Sequence, residues 1–117
     1  MLTTLNIIAA VITIALGAIG WLRPRFTMEK LGLAAVGGPF GLSEVRAVNG
    51  ATFVGVGLAA LLLATPTAFA MVGALYAGAA LGRGTSLILE NGRSAACWVF
   101  FAIEAGLAAY LLAANLG

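Results

Sequence analysis

Two residue types that build most metal and catalytic sites are missing from this sequence. It has no histidine and no aspartate, and its single cysteine, Cys97, has no partner for a disulfide. Haem, copper and most zinc sites use imidazole or several thiolates, and redox dithiols need two cysteines. We therefore expect no metal or haem cofactor. We also expect that the protein is not an enzyme, because catalytic sites usually depend on constellations of His, Asp or Cys.

Charge is also scarce. Only 9% of the 117 residues are charged and 62% are hydrophobic, whereas charged residues make up about 25% of an ordinary soluble domain. With a mean hydropathy of +1.11, a chain of this size cannot cover its surface with water-binding groups, so lipid must be its solvent. The isoelectric point near 9.2 reflects six basic against four acidic residues without a basic stripe. We therefore expect membrane lipids as partners and no nucleic acid.

Four segments are long and apolar enough to cross a bilayer, which takes about 20 mostly apolar residues. Ser43 and Ser94 are suited to cap the second and fourth segments, and Thr65-Pro66 marks the start of the third. The sequence predicts an all-α polytopic membrane four-helix bundle, a single transmembrane domain, with short hairpin connections and one longer cytoplasmic link. The predicted spans are 3–22, 43–64, 66–89 and 95–114, and an interfacial helix is predicted over 25–34.

The basic residues predict the orientation of these spans. With four spans, the first and third connections lie on one side of the membrane, and every Lys and Arg falls in or beside them. The positive-inside rule places these connections in the cytoplasm. We expect a multi-pass protein of the bacterial inner (cytoplasmic) membrane with periplasmic N- and C-termini. The basic residues are Arg23, Arg25, Lys30, Arg46, Arg83 and Arg93.

Small residues recur at four-residue spacing along the helices. In lipid, such residues let helix backbones approach closely, which replaces much of the hydrophobic attraction that operates in water. We expect the stripes of the second and third helices to face each other. Alternatively, the pattern reflects a chain with 16 glycines and many alanines, or one stripe binds a partner helix or a lipid. The residues are Ala47, Ala51, Gly55 and Ala59 in the second helix, Ala74, Gly78, Gly82 and Ser86 in the third, and Ala9, Thr13 and Gly17 in the first.

Charged residues inside the predicted spans are the candidate site. Arg83 and Glu104 lie about 9 and 12 Å inside the cytoplasmic ends of their helices, where an isolated charge costs on the order of 2.5–3.5 kcal/mol. We expect Glu104 to accept hydrogen bonds from Arg83 or Arg46. Such a cluster would be structural glue or a binding site for an anion, a lipid headgroup or a proton; a third alternative is that Arg83 extends to the interface. The predicted cluster comprises Glu44, Arg46, Asn49, Arg83, Ser86, Glu90 and Glu104.

The same charged residues carry a family resemblance. The chain contains Glu44-Val45-Arg46-Ala47-Val48-Asn49-Gly50, then Gly82-Arg83-Gly84-Thr85-Ser86, Glu90-Asn91-Gly92 and finally Glu104. From Arg23 onward it resembles the bacterial membrane family called domain of unknown function 4345. The family's pattern has a second glycine where this chain has Ala51, and often an aspartate where it has Asn91. The resemblance implies a four-helix bundle in which Glu44, Arg46, Arg83 and Glu104 belong together, and it implies no activity.

Two functions remain open from the sequence. The first is a small non-enzymatic accessory or assembly subunit of a larger membrane complex, with other subunits or further copies of the chain as partners. A respiratory or photosynthetic complex is compatible with it. The alternative is a carrier or binding protein for a small anion or a lipophilic molecule that uses the Arg/Glu cluster.

Overall fold

The computed structural model describes residues 2–90 and 94–116 and shows five helices without a strand in that part of the chain. Four of the helices are long and apolar enough to cross a membrane. We call these the first to fourth spanning helices. Their bounds are Leu2–Leu22, Phe40–Leu63, Pro66–Leu89 and Ala95–Leu116, and a short helix, Pro24–Leu31, follows the first.

The chain divides into two compact units. The N-terminal unit, Thr3–Leu62, contains the first spanning helix, the short helix and the second spanning helix. The C-terminal unit, Leu63–Gly117, contains the third and fourth spanning helices. Each unit therefore contains two spanning helices, and residues of the predicted charge cluster occur in both units.

The short helix ends earlier than the predicted range of 25–34. Gly32 has φ of 70°, and its N–H donates to the carbonyl of Glu29, while the N–H of Leu33 donates to Met28. This pair of bonds is a Schellman motif, which needs a left-handed residue that glycine adopts without a steric cost. The helix begins at Pro24, where the missing N–H of proline costs no helical hydrogen bond.

The second spanning helix begins at Phe40, three residues before the predicted start at 43. The prediction that Ser43 is the N-cap is wrong, because the N–H of Ser43 already donates to the carbonyl of Pro39 at 3.1 Å. Gly37 and Gly38, with φ of 79° and 131°, make the preceding break, and Pro39 then directs the chain into the helix. The helix is α-helical to Arg46, forms a π turn over Ala47–Ala51 and continues as an α-helix over Thr52–Leu63.

Side-chain caps begin the third and fourth spanning helices, as the sequence predicts. The Thr65 hydroxyl accepts from the N–H of Ala68 at 3.1 Å, and the Ser94 hydroxyl accepts from the N–H of Cys97 at 3.2 Å. The fourth helix continues to Leu116, two residues beyond its predicted end. The third ends at Leu89. The predicted stop at Asn91-Gly92 and the basic residue Arg93 lie outside the described residues.

The helices of the N-terminal unit meet through glycine. A Cβ built on Gly20 would collide with the backbone of Asn49, and one built on Gly50 would collide with the backbone of Trp21. Gly57 lies against Ala10 and Ile14 of the first helix in the same way. This contact is possible only because no side chain separates the two backbones.

One small-residue face of the first helix is correctly predicted. Ala9, Thr13 and Gly17 are buried, and the Thr13 hydroxyl donates to the carbonyl of Ala9 at 2.8 Å, which satisfies this polar group within the helix. A Cβ on Gly17 would lie 2.6 Å from the carbonyl oxygen of Gly50.

The helices of the C-terminal unit pack by inserting large side chains over glycines. A Cβ on Gly73 would lie 2.9 Å from the Leu111 side chain, and one on Gly84 would lie 3.1 Å from the Phe101 ring. Leu111 is completely buried, and Tyr76 is also in this core. The face of the third helix that meets the fourth therefore carries both glycines and large residues.

The other predicted stripes take no part in packing within their own units. Ala47, Ala51, Gly55 and Ala59 of the second helix are exposed, as are Ala74, Gly78 and Gly82 of the third. No atom beyond the local backbone lies within 4 Å of a Cβ built on Gly55, Gly78 or Gly82. In both helices the close contacts fall on other glycines. These are Gly50 and Gly57 in the second helix and Gly73 and Gly84 in the third.

The glycine contact in the N-terminal unit can be tested with Gly20→Ala. Because the added methyl meets backbone atoms that cannot rotate away, we expect a loss of about 1–3 kcal/mol in unfolding free energy. Gly55→Ala is the matched control. It adds the same methyl in open space and should be neutral or stabilising by up to about 1 kcal/mol. The unfolding free energies of both variants are measured by following helical circular dichroism while the protein, solubilised in mild detergent, is denatured. Equal stabilities for the two variants would contradict the close contact at Gly20.

Candidate functional site

An ion pair joins the third and fourth spanning helices. The Arg83 Nε donates to Glu104 Oε1 at 2.7 Å, and Arg83 Nη2 donates to Glu104 Oε2 at 3.0 Å. Both carboxylate oxygens are thus bound by one planar guanidinium, the bidentate arrangement that gives such pairs their strength and direction. Lysine cannot reproduce this geometry.

The pair lies well inside the two helices. Arg83 precedes the end of its helix by six residues, or about 9 Å, and Glu104 follows the start of its helix by nine residues, or about 14 Å. Their side chains are 31% and 15% exposed. Charges at this depth are disfavoured unless they are neutralised by a neighbour, and here each supplies the other's counter-charge.

An aromatic ring also lies beside Arg83. The guanidinium carbon lies 5.3 Å from the ring centroid of Phe100, within the range of a cation–π interaction. Phe100 and Glu104 are four residues apart on one helix and therefore share a face. The fourth helix thus presents a carboxylate and an aromatic ring together to the arginine of the third.

Ser86 and Glu90 form a separate contact at the end of the third helix. The Ser86 hydroxyl donates to Glu90 Oε1 at 3.0 Å, and the N–H of Glu90 donates to the carbonyl of Ser86 at 2.9 Å. The sequence suggested that Ser86 would complete the hydrogen bonds of Glu104. Ser86 instead donates to the exposed Glu90 one turn further along, and Glu90 is the C-cap residue of the helix.

Arg46 lies in the N-terminal unit and has a different kind of partner. Its Nη1 donates to the backbone carbonyl of Trp21 at 2.7 Å. Trp21 is the penultimate residue of the first helix, where carbonyls lack helical partners and the helix dipole is negative. Arg46 therefore closes the end of the first helix rather than binding a carboxylate of its own unit.

Glu44 and Asn49 of the predicted cluster are both exposed. The Glu44 carboxylate makes no hydrogen bond or ion pair with another described residue. Asn49 contributes its backbone to the contact with Gly20, within the π turn. The seven predicted residues therefore divide into three local arrangements: the Arg83–Glu104 pair, the Ser86–Glu90 cap, and the Arg46 region.

What the Arg83–Glu104 pair can do chemically follows from the fact that its two charges neutralise each other. Both carboxylate oxygens accept from the guanidinium, so the pair holds its charges in mutual neutralisation. Over residues 2–90 and 94–116, no group of three or more His, Cys, Asp or Glu side chains is placed to hold a metal ion. The arrangement is therefore suited to fixing two helices against each other.

Two contacts of the site were not found by reasoning from the sequence. Phe100 could have been found from its four-residue spacing to Glu104, which places both on one helical face. The carbonyl of Trp21 as the acceptor for Arg46 carries no side-chain signal, because backbone acceptors exist at every residue. Only the position of Trp21 at a helix end, where carbonyls are unpaired, pointed toward it.

Four apolar spanning helices with a neutralised ion pair inside one helix hairpin define a polytopic helical membrane protein. A family model described as domain of unknown function, DUF4345, matches residues 1–115. The chain belongs to this family, and the match includes the first spanning helix, which the motifs from Arg23 onward did not cover. No curated protein and no solved structure matches the chain.

The ion pair predicts strong coupling between its two residues. Glu104→Gln and Arg83→Gln should each lower the unfolding free energy by about 2 kcal/mol, since each leaves one charge without its counter-charge. The double variant should lose less than the sum. Denaturation of all three variants in mild detergent, followed by circular dichroism, measures the coupling.

The control for this cycle is Glu90→Gln. Its carboxylate is exposed, so the loss should stay within about 1 kcal/mol. If the effects of Glu104→Gln and Arg83→Gln are simply additive, the two side chains do not stabilise the protein as a pair.

Proposed function

We propose that this protein is a small, non-enzymatic accessory or assembly subunit of a larger membrane complex. The observation that carries the proposal is the exposed stripe of small residues on the third helix, Ala74, Gly78 and Gly82. The two glycines have open space where a side chain would begin. Helices in lipid associate through such faces, and this one is not used for packing within its own unit.

The ion pair supports a structural role for the hairpin that bears this stripe. It fixes the rotation of the third helix against the fourth, so that one face of the third helix stays buried and the small-residue face stays outward. A rigid face is a better partner surface than a rotating one, because less freedom is lost on association. The partner is a helix of another membrane protein or of a second copy.

The alternative function is transport or binding of a small anion or a lipophilic molecule by the charge cluster. Proteoliposome uptake that disappears in Glu104→Gln would favour it. The bidentate pairing of Arg83 with Glu104 favours the subunit, since a transport site needs charge that is available to its cargo. Loss of stability in Glu104→Gln without any uptake in the unaltered protein would support a structural pair.

Ala74→Leu tests the subunit proposal directly. The added side chain fills the outward face, so we expect partners that crosslink to the unaltered protein in native membranes to be lost. Ala109→Leu adds the same bulk to an exposed alanine of the fourth helix and should keep them. Blue native electrophoresis after mild solubilisation measures the assembly. A lone monomer from the unaltered protein, with no crosslinked partner, would overturn the proposal.

We also propose that the protein lies in the bacterial inner membrane with both termini in the periplasm. The basis is that all six basic residues fall in or beside the first and third connections. In a Cys97→Ser background, Thr4→Cys should react with an impermeant maleimide in intact cells. Arg25→Cys should react only in inside-out vesicles. The reverse pattern would invert the topology.

A further inference from the structure

A second candidate site lies in the N-terminal unit, and neither residue of the ion pair belongs to it. Between the end of the first spanning helix and the start of the second is an open cavity of about 490 Å³. Cavities of roughly 300–1,000 Å³ hold small ligands. It is lined by Trp21, Pro39, Leu42, Ser43, Arg46, Ala47 and Ala51. A serine and an arginine therefore stand among mainly apolar residues.

Arg46 brings a positive charge to this cavity, and no carboxylate is among the lining residues. A guanidinium has five N–H donors, and the described structure assigns Arg46 one acceptor, the Trp21 carbonyl. Glu44, the acidic residue nearest in sequence, is two positions away, a spacing at which helical side chains do not face each other. The single bond to Trp21 holds the guanidinium in place and leaves its other donors for an anion. Phosphate is an anion that a held guanidinium binds well, since two of its oxygens match two N–H groups.

The apolar part of the lining continues along the second helix. Ala47 and Ala51, at the two ends of the π turn, both line the cavity. Gly55 and Ala59 follow Ala51 at four-residue spacing in the α-helical part, and all four residues are exposed. Open space surrounds the position where a Gly55 side chain would begin. Side chains no larger than methyl leave a shallow groove beside the helix, with room for a hydrocarbon chain. A ligand held by Arg46 can therefore lie with a hydrocarbon chain in this groove.

The surroundings match a lipid in charge and position. The N-terminal unit carries four basic and two acidic side chains, a balance that favours anionic lipids. Trp21 is 44% exposed at the end of a spanning helix, where indole rings lie at the level of lipid headgroups. The π turn over Ala47–Ala51 falls on two of the lining residues, and such turns occur frequently at functional sites.

We propose that this cavity binds one anionic phospholipid, with its phosphate on Arg46 and Ser43 and an acyl chain along the Ala47, Ala51 and Gly55 groove. This site shares no residue with the partner face on the third helix. Either assignment can therefore fail without the other.

Trp21 provides the readout for a test. The chain has two tryptophans, so in a Trp98→Phe background the fluorescence comes from Trp21 alone. We expect brominated phosphatidylglycerol to quench it at a mole fraction about tenfold lower than brominated phosphatidylcholine, as for one charge-assisted contact. Arg46→Gln should remove this difference, and Arg46→Lys should retain part of it. Arg25→Gln, which removes an arginine that does not line this cavity, should leave it unchanged.

Three results would overturn the proposal. They are equal quenching by the two lipids in the background protein, survival of the difference in Arg46→Gln, and displacement of the brominated lipid by soluble glycerol 3-phosphate. The last result would mean that the site takes a free phosphate compound.

If Arg46→Gln loses its helical circular dichroism, the variant Ala51→Leu provides the test instead. It keeps the charge and fills the groove, and it should weaken quenching by phosphatidylglycerol several-fold; unchanged quenching would exclude the acyl groove.

Discussion

The C-terminal unit depends on one constraint: a charged side chain inside a spanning helix must be paired with a side chain of opposite charge. Arg83 and Glu104 satisfy it with two hydrogen bonds across the hairpin. Because the guanidinium and the carboxylate are both planar, this contact fixes rotation as well as distance. Gly73 then lies under Leu111, and the small residues around Gly78 face outward. The core and the proposed partner surface therefore follow from the same pair.

The N-terminal unit solves the association problem differently. Its helices approach until the backbones of Gly20 and Gly50 are in contact. Arg46 of this unit donates to a backbone carbonyl instead of a carboxylate. Apolar side chains add little attraction between helices that are already in lipid, so both units rely on directional contacts. The difference matters for function. A paired charge such as Arg83 is committed to the fold, whereas Arg46 keeps donors for a ligand.

The sequence was sufficient for the spans, the caps at Thr65 and Ser94, and the reason why Arg83 needs Glu104. These features depend on the local order of residues or on the cost of one buried charge. The packing faces were not predictable in the same way. In a chain with 16 glycines, several faces of one helix carry small residues at four-residue spacing, so the pattern does not select among them. Which face becomes buried depends on which glycine packs against a large side chain or the backbone of the neighbouring helix, as Gly73 does against Leu111. This depends on both helices together and cannot be read from one helix alone.

The π turn at Ala47–Ala51 changes how the second helix should be compared with those of its relatives. The N–H of Thr52 donates to the carbonyl of Ala47, five residues back, so this turn holds one residue more than an α-helical turn. Each residue advances an α-helix by about 100°, and the part before the turn is offset by that angle from the part after it. A helical wheel drawn straight through positions 40–63 therefore misplaces half of the helix. A homologue one residue shorter in this stretch would need a gap here in its alignment to keep its arginine over the first helix.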